Sequence, residues 1–335
     1  MKEFINFISM LALPFLMVIL LSTIFKKISI KYRIYDHPGE LKIHKEPVPY
    51  LGGVAVSLSI LITALIKNVH ACQFFLLAIF FLALGLYDDI NSNSPILRFV
   101  IESVFSIIAI SMKLRIPINI FTSTIFTYLF IMGAINAVNW MDGMDGLLTG
   151  ISIIVSFGFY IIARQIGHPW VIDFSLTFVG ALAGFLVFNF KPARIFLGDA
   201  GSYFIGFTFA YLGIELLKFS FSWKLFASVL SIMGIFIVDS TIAVLRRIRL
   251  GRNPFYGDRS HIYDQIYKRT GKYILTVFTM YIIAALGVGL GFLVFNLPYP
   301  LYWIVWLGGA VLIYLILFIL RFVSVTNHNS MEKIK

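Results

Sequence analysis

Apolar residues in this chain come in long runs separated by short polar connections. Stretches long enough to cross a bilayer fall at roughly 5–25, 51–67, 72–87, 97–112, 116–134, 147–163, 170–188, 201–217, 223–245, 273–295 and 300–322. Backbone polar groups in lipid must be satisfied within each segment, so such runs fold as helices. The pattern predicts an all-α polytopic membrane protein of about eleven transmembrane helices. The first run follows Lys2 but lacks a small-x-small cleavage site, so it reads as a retained anchor rather than a signal peptide.

An odd number of spans places the termini on opposite sides, and the basic residues choose between them. The connections after spans 1, 3, 5, 7 and 9, with the C-terminal tail, carry 19 Lys and Arg, against seven on the other side. Cytoplasmic loops hold the excess of Lys and Arg. The N-terminus is therefore expected outside and the C-terminus in the cytoplasm. The net charge of +11 is then a topology signal and calls for no nucleic acid.

Composition agrees with this reading. The 335 residues are 59% hydrophobic and only 13% charged, with mean hydropathy +0.91, whereas soluble domains carry about 25% charge. A single cysteine, Cys72, excludes an internal disulfide framework. No internal repeat is apparent, and no room remains for a separate soluble domain, so residues 1–335 read as one integral-membrane domain.

Every polar cluster able to do chemistry falls on the expected cytoplasmic face. The densest is Asn136–Leu147, N-A-V-N-W-M-D-G-M-D-G-L, with Asp142 and Asp145 three residues apart. A helical turn at that spacing would bring the two carboxylates to one side. Gly143 and Gly146 let the main chain approach a ligand closely. Asp88 and Asp89 end the third span; two adjacent carboxylates at a membrane edge repel and need a cation. Just beyond, Arg98 and Glu102 are spaced to pair with each other.

Three loops add further groups. In Ile43–Gly53, His44 and Lys45 sit among two prolines and a Gly-Gly pair, a shaped loop suited to presenting a cation. Phe188–Ser202 supplies Asn189, Lys191, Arg194, Phe196 and Asp199, the last in a Gly-flanked turn. Gly251–Ile266 supplies Asp258, Arg259, His261 and Asp264. Arg194 and Arg259 are candidate substrate contacts, and His261 a candidate for phosphate contact or proton handling. Asp239, two turns before the run Arg246–Arg249, is expected to neutralise Arg246 or Arg247. The connection 246–272 is long enough for a short helical excursion. Carboxylates and cations on one rim suit metal-assisted chemistry on a phosphorylated substrate, and oxygen-only ligands favour Mg2+.

The motifs Y-D-D, N-x-x-N-x-x-D-G-x-D-G-L and F-L-G-D-A-G-S, in that order, resemble the polyprenyl-phosphate N-acetylhexosamine-1-phosphate transferases. That family includes the phospho-N-acetylmuramoyl-pentapeptide transferases and the initiators of teichoic-acid and O-antigen synthesis. The resemblance covers nearly the whole chain. It implies transfer of a sugar 1-phosphate from a UDP-N-acetylhexosamine to undecaprenyl phosphate, releasing UMP, in the bacterial inner membrane. It also implies Mg2+, with Mn2+ as a substitute. Asp199 matches the family's magnesium-ligand aspartate, with Asp88 and Asp142 as further metal candidates. Asp88 and Asp89 match the pair thought to deprotonate or orient the lipid phosphate. Asn139, Asp142 and Asp145 match the motif that holds metal, pyrophosphate and nucleotide. Lys45, Asn189 and Phe196 match nucleotide-site positions, with Phe196 as the uracil-stacking ring. Arg98 matches the residue proposed to meet the lipid phosphate.

The chain also departs from the family pattern. The final loop reads His261-Ile262-Tyr263-Asp264 where a run of histidines is usual, and Glu102 stands where Gln is expected. The missing histidines favour N-acetylglucosamine over the pentapeptide-bearing sugar, and sugar specificity is expected in 246–272. A homodimer is within the family's range. A transporter would place its carboxylates near mid-membrane in repeated halves; here they lie at span ends on one side.

Overall fold

The structure, a computed structural model, describes residues 2–39, 46–69, 71–91, 93–253 and 259–319. His44, Lys45 and Asp258 lie outside the described residues. The chain opens with α1 (Lys2–Tyr32), then β1 (Tyr35–Asp36) and β2 (Val48–Pro49), which pair antiparallel with Tyr35 opposite Pro49. Helices α2 (Gly52–Ile66), α3 (Cys72–Asn91), α4 (Pro95–Ser111), α5 (Ile120–Trp140), α6 (Leu147–Ile166), α7 (Pro169–Asn189) and α8 (Gly198–Phe219) follow. The remainder is α9 (Trp223–Ile232), α10 (Gly234–Arg249), α11 (Ile262–Thr270), α12 (Tyr273–Asn296) and α13 (Leu301–Ile319).

The protein is an all-α polytopic membrane protein. Seven described helices, α1, α3, α5, α6, α7, α8 and α12, are long and apolar enough to cross a membrane, or eight if α9 and α10 form one broken span. Eleven simple spans is therefore more than the described helices show. The stretch 223–245 breaks at Met233-Gly234 and bends by 73°. Gly next to a helix end frees the backbone for such a kink. Helix α2, at 15 residues, is short, and α4, at 17, carries Arg98 and Glu102. The helical excursion between α10 and α12 is α11.

Local sequence sets many of the helix starts. Ser94 Oγ accepts from Leu97 N–H at 3.3 Å and Pro95 occupies the first turn of α4. Ser222 Oγ accepts from Leu225 N–H at 3.1 Å to begin α9. Gly146 enters α6 with φ of 75°, a conformation that costs a residue with Cβ.

Helix α8 is the axis of the bundle, buried along almost its whole length. It lies against α3 and α5. Rings stack between them, Phe81 on Phe207 at 4.6 Å and Phe74 edge-on to Tyr211 at 5.2 Å. Lipid gives helices no hydrophobic drive to associate, so close packing through small residues carries the interface. Gly53 of α2 and Gly201 of α8 meet backbone to backbone: a Cβ on Gly53 would lie 2.2 Å from Gly201 N. The contact is fastened by Gly52 N–H to Phe196 O and Gly53 N–H to Leu197 O, both 2.9 Å.

Overpacking of this kind costs about 1–3 kcal/mol. Gly53→Ala should therefore lower the melting temperature of the detergent-purified protein. Gly133→Ala, where a new Cβ meets nothing within 4 Å, should melt with the wild type. Equal melting of both variants would show that α2 and α8 do not touch this closely.

Candidate active site

The C-terminal ends of α3, α5 and α7 and the N-terminal ends of α2, α4, α6 and α8 gather at one end of the bundle. They enclose a cleft of about 800 Å³. Of the residues singled out from sequence, Asp88, Asp89, Arg98, Asn139, Asp142, Asp145, Asn189, Phe196 and Asp199 all line it. Tyr35, Asp36, His37 and Tyr50 complete the wall. These four went unselected; for Asp36 and His37 the available signal was the polar D-H-P-G run that follows the first span.

Asp88 is buried, and its partners are fixed. Its Oδ2 receives Arg98 Nη1 at 2.8 Å and Tyr203 OH at 3.3 Å, and its Oδ1 receives Asn93 N–H at 2.8 Å. The Arg98 guanidinium also stands 3.8 Å from Asp199 Oδ2. Asn139 Nδ2 donates to Asp199 Oδ1 at 2.7 Å and to Ser202 Oγ at 2.9 Å. Asp88 and Asp199 lie within hydrogen-bonding reach of each other, and the Arg98 guanidinium beside both offsets their mutual repulsion.

Asp89 does something different. Its Oδ1 accepts from Asp199 N–H at 2.8 Å and its Oδ2 from Ala200 N–H at 3.2 Å. The carboxylate caps the first turn of α8 and holds Asp199 in place. Asp145 is likewise engaged: its Oδ2 accepts from Ala193 N–H at 3.1 Å, and Tyr273 OH bonds its backbone N–H. Asn189 spends both ends on protein, accepting from Thr149 Oγ1 at 2.7 Å and donating to Ile195 O at 3.1 Å. Phe196 is set by its backbone, donating to Pro49 O at 2.8 Å.

Asp142 lies in a non-helical turn, not the helical one its spacing suggested, yet it shares the cleft with Asp145. Its carboxylate makes no hydrogen bond or ion pair to the described residues. The side chain is open to the cleft's water while the walls enclose it. Enclosure first, then the charges of Asp199, Asp36 and Asp145, pushes its carboxyl up to about 8.

Other expectations resolve differently. Arg98 turns to Asp88 instead of pairing with Glu102; buried Glu102 Oε2 accepts from Asn136 Nδ2 at 2.7 Å. Asn136 therefore lies away from the cleft. Asp239 is met by His261 Nδ1 at 2.6 Å rather than by Arg246 or Arg247. His261, Arg194 and Arg259 do not line the cleft. Arg194 is exposed beside the Phe188 ring, and Arg259 reaches Asp264 at 3.3 Å.

The described lining thus sets six carboxylates against one guanidinium. An anionic phosphate meets repulsion there unless cations accompany it. Among the described residues no three His, Cys, Asp or Glu side chains converge in a ready ligand set. Asp88 and Asp199 in contact, with Asp142 unengaged, nevertheless fit a hard cation. Mg2+ takes one or two carboxylates and completes its shell with water and substrate phosphate.

A model of glycosyl transferase family 4 matches residues 71–217, the segment that holds every cleft carboxylate except Asp36. A probable undecaprenyl-phosphate N-acetylglucosaminyl 1-phosphate transferase of Bacillus subtilis is 31% identical over 289 residues, covering 80% of this chain and 79% of that one. The chain belongs to this transferase family. An undecaprenyl-phosphate alpha-N-acetylglucosaminyl 1-phosphate transferase of Thermotoga maritima is 31% identical over 246 residues, 72% of this chain and 76% of that one. A phospho-N-acetylmuramoyl-pentapeptide-transferase of Lactobacillus gasseri is 30% identical over 272 residues, 70% and 83% respectively. The family match covers the acidic floor, while the β1–β2 hairpin and the α10–α11 segment flank it from outside.

The two kinds of aspartate should separate on melting. Asp89→Ala strands two amide donors and should cost about 1–3 kcal/mol. Asp142 behaves oppositely: with its carboxyl raised from 3.8 to about 8, the fold suffers nothing below the lower value and progressively more as pH climbs through the higher. In EDTA, Asp142→Asn should melt with the wild type near pH 4 and above it near pH 9. A variant that melts lower at high pH would show that Asp142 has a stabilising partner.

Proposed function

We propose that this protein is an enzyme that transfers N-acetylglucosamine 1-phosphate from its UDP-sugar to undecaprenyl phosphate, releasing UMP. The observation that carries the reading is the acidic cleft with its single described guanidinium, set where helix ends meet lipid. The outer face of α4 exposes Ile96, Val100, Val104 and Ile107, as a lipid-facing helix does. Arg98 on that same helix points inward to Asp88. A phosphate carried on a membrane lipid can thus reach Arg98 while its chain stays among tails, and the polar nucleotide can enter from water. The basic-residue count favours the cytoplasm as that aqueous side, in a bacterial inner membrane.

In the reaction an oxygen of the lipid phosphate attacks the β-phosphorus of the UDP-sugar. The new P–O bond forms as the bond to the bridging oxygen breaks, and the electron pair leaves with UMP. A lipid phosphate is already an anionic nucleophile, so one displacement suffices. Arg98 would hold the lipid phosphate while Asp88 fixes the guanidinium. Asn139 aims Asp199, and Asp89 locks the turn that carries it. Phe196 offers a ring for the uracil base. Asp199, Asp88 and Asp142 would hold Mg2+, which when bound offsets negative charge on the pyrophosphate and the leaving UMP. Preorganised charges of this kind act where charge develops, without reorganisation.

The choice of sugar rests on the His261-Ile262-Tyr263-Asp264 loop and on the two relatives named for N-acetylglucosaminyl transfer. The test is UMP release by purified protein with Mg2+, undecaprenyl phosphate and a panel of UDP-sugars. UDP-N-acetylglucosamine should be consumed only when the lipid phosphate is present, EDTA should abolish turnover, and Asp199→Asn should lose at least about a hundredfold in kcat. Turnover with the pentapeptide-bearing donor alone would transfer the protein to the other branch. Full activity in EDTA would remove the metal.

A further inference from the structure

Most of the cleft's fixed groups hang from helix ends, but the turn carrying Asp142 needs support of its own. That support comes from behind, out of Asp239, Arg247, His261 and Tyr263, none of which lines the cleft. The break at Met233-Gly234 swings α10 against the end of α5. There three side chains converge on Trp140, the residue between Asn139 and the Asp142 turn. Arg247, buried, places its guanidinium 5.0 Å from the Trp140 ring centroid. His261 lies 6.3 Å from the same ring. Tyr263 OH donates to the Trp140 carbonyl at 3.3 Å.

The Tyr263 ring is itself clamped. It stacks on His261 at 5.6 Å with 4° between planes. His261 Nδ1 bonds Asp239 Oδ2 at 2.6 Å, and Ile262 N–H bonds Asp239 Oδ1 at 2.7 Å. All three, Asp239, His261 and Tyr263, are buried. The turn is shaped to the ring: a Cβ at Gly143 would lie 2.1 Å from the Tyr263 hydroxyl. A small residue at 143 is thus required by the ring behind it as well as by any ligand in front.

We infer that Asp239, His261 and Tyr263 form a positioning strut that fixes the height of the Trp140–Asp145 turn, with Tyr263 as the residue in contact. His261 acts through Tyr263 and Ile262 and touches no substrate. This rests on the transferase reading for its kinetic consequence, but the strut itself concerns only the turn. Misplacing a reacting group by about 1 Å can cost about a hundredfold in rate; Asn139 directly precedes the supported Trp140 and Asp142 follows it by two residues.

The experiment uses the full chain in detergent and reads two quantities. One is hydrogen exchange across 140–146 by mass spectrometry. The other is kcat and KM for UDP-N-acetylglucosamine with undecaprenyl phosphate. Tyr263→Leu should speed exchange of 140–146 at least about tenfold, with α12 unchanged, and lower kcat about 10- to 100-fold with KM within about threefold. Tyr263→Phe, which keeps the ring, should fall between. His261→Asn keeps a nitrogen donor towards Asp239 and should retain most of kcat, whereas His261→Leu should resemble Tyr263→Leu. Unchanged exchange in Tyr263→Leu, or equal losses in His261→Asn and His261→Leu, would overturn the strut. If wild-type protein releases no UMP from any donor, the transferase reading fails, and the exchange measurement alone still decides the strut.

Discussion

Crowding carboxylates at the end of a membrane bundle is the constraint on which the remaining structure turns. Six described carboxylates face one cleft, and helices must hold them there against mutual repulsion. Most are secured individually. Asp88 has a guanidinium, a phenol and an amide, Asp89 two amides of α8, Asp145 an amide, and Asp199 an asparagine. Among the described residues, the Asp142 carboxylate has no such partner. The engaged carboxylates are thereby fixed in position, and the unengaged one keeps its oxygens for whatever enters.

Backbone contact gives that arrangement its rigidity. Gly52 and Gly53 donate to the carbonyls of Phe196 and Leu197, and Phe196 donates to Pro49, so the start of α2, the β2 strand and the start of α8 share one ladder. Close approach at Gly53 and Gly201 is what permits those bonds. In lipid such bonds and small-residue contacts hold helices together where hydrophobic burial cannot. The same glycines that pack the bundle therefore also aim Asp199 and Phe196.

Much of this was legible in the sequence, for a physical reason. Apolar runs mark helices because lipid allows little else, and Asp88, Asp89, Asn139, Asp142, Asp145 and Asp199 stand out because charge at a span end is costly. What was not legible is the choice of partner. Arg98 sits one turn from Glu102, yet it pairs with Asp88 ten residues away, and Glu102 takes Asn136 from α5. Asp239 lies near Arg246 and Arg247 in sequence, but its partner is His261 across a loop. The bend at Met233-Gly234 was hidden for the same reason. Apolar residues run on across Met233-Gly234 from both sides, and the sequence does not show the turn there that lays α10 against α5.

That bend changes what the segment after it can do. Helix α9 starts near the end of α8 that is far from the cleft, so a straight continuation would run on towards the cleft end alongside the bundle. A helix bent by 73° instead lays α10 across the end of α5, where Arg247 covers Trp140 and Asp239 catches His261. Residues that look catalytic by type, a histidine and an aspartate in a basic loop, are thereby drawn into the wall behind the site. The chemistry of a side chain suggests a role, but its closest partner decides it. Asp239 takes the nitrogen of His261 that faces it, and the ring's face is covered by Tyr263. With those two surfaces occupied and the residue buried, the imidazole is placed to hold the turn rather than to meet a phosphate.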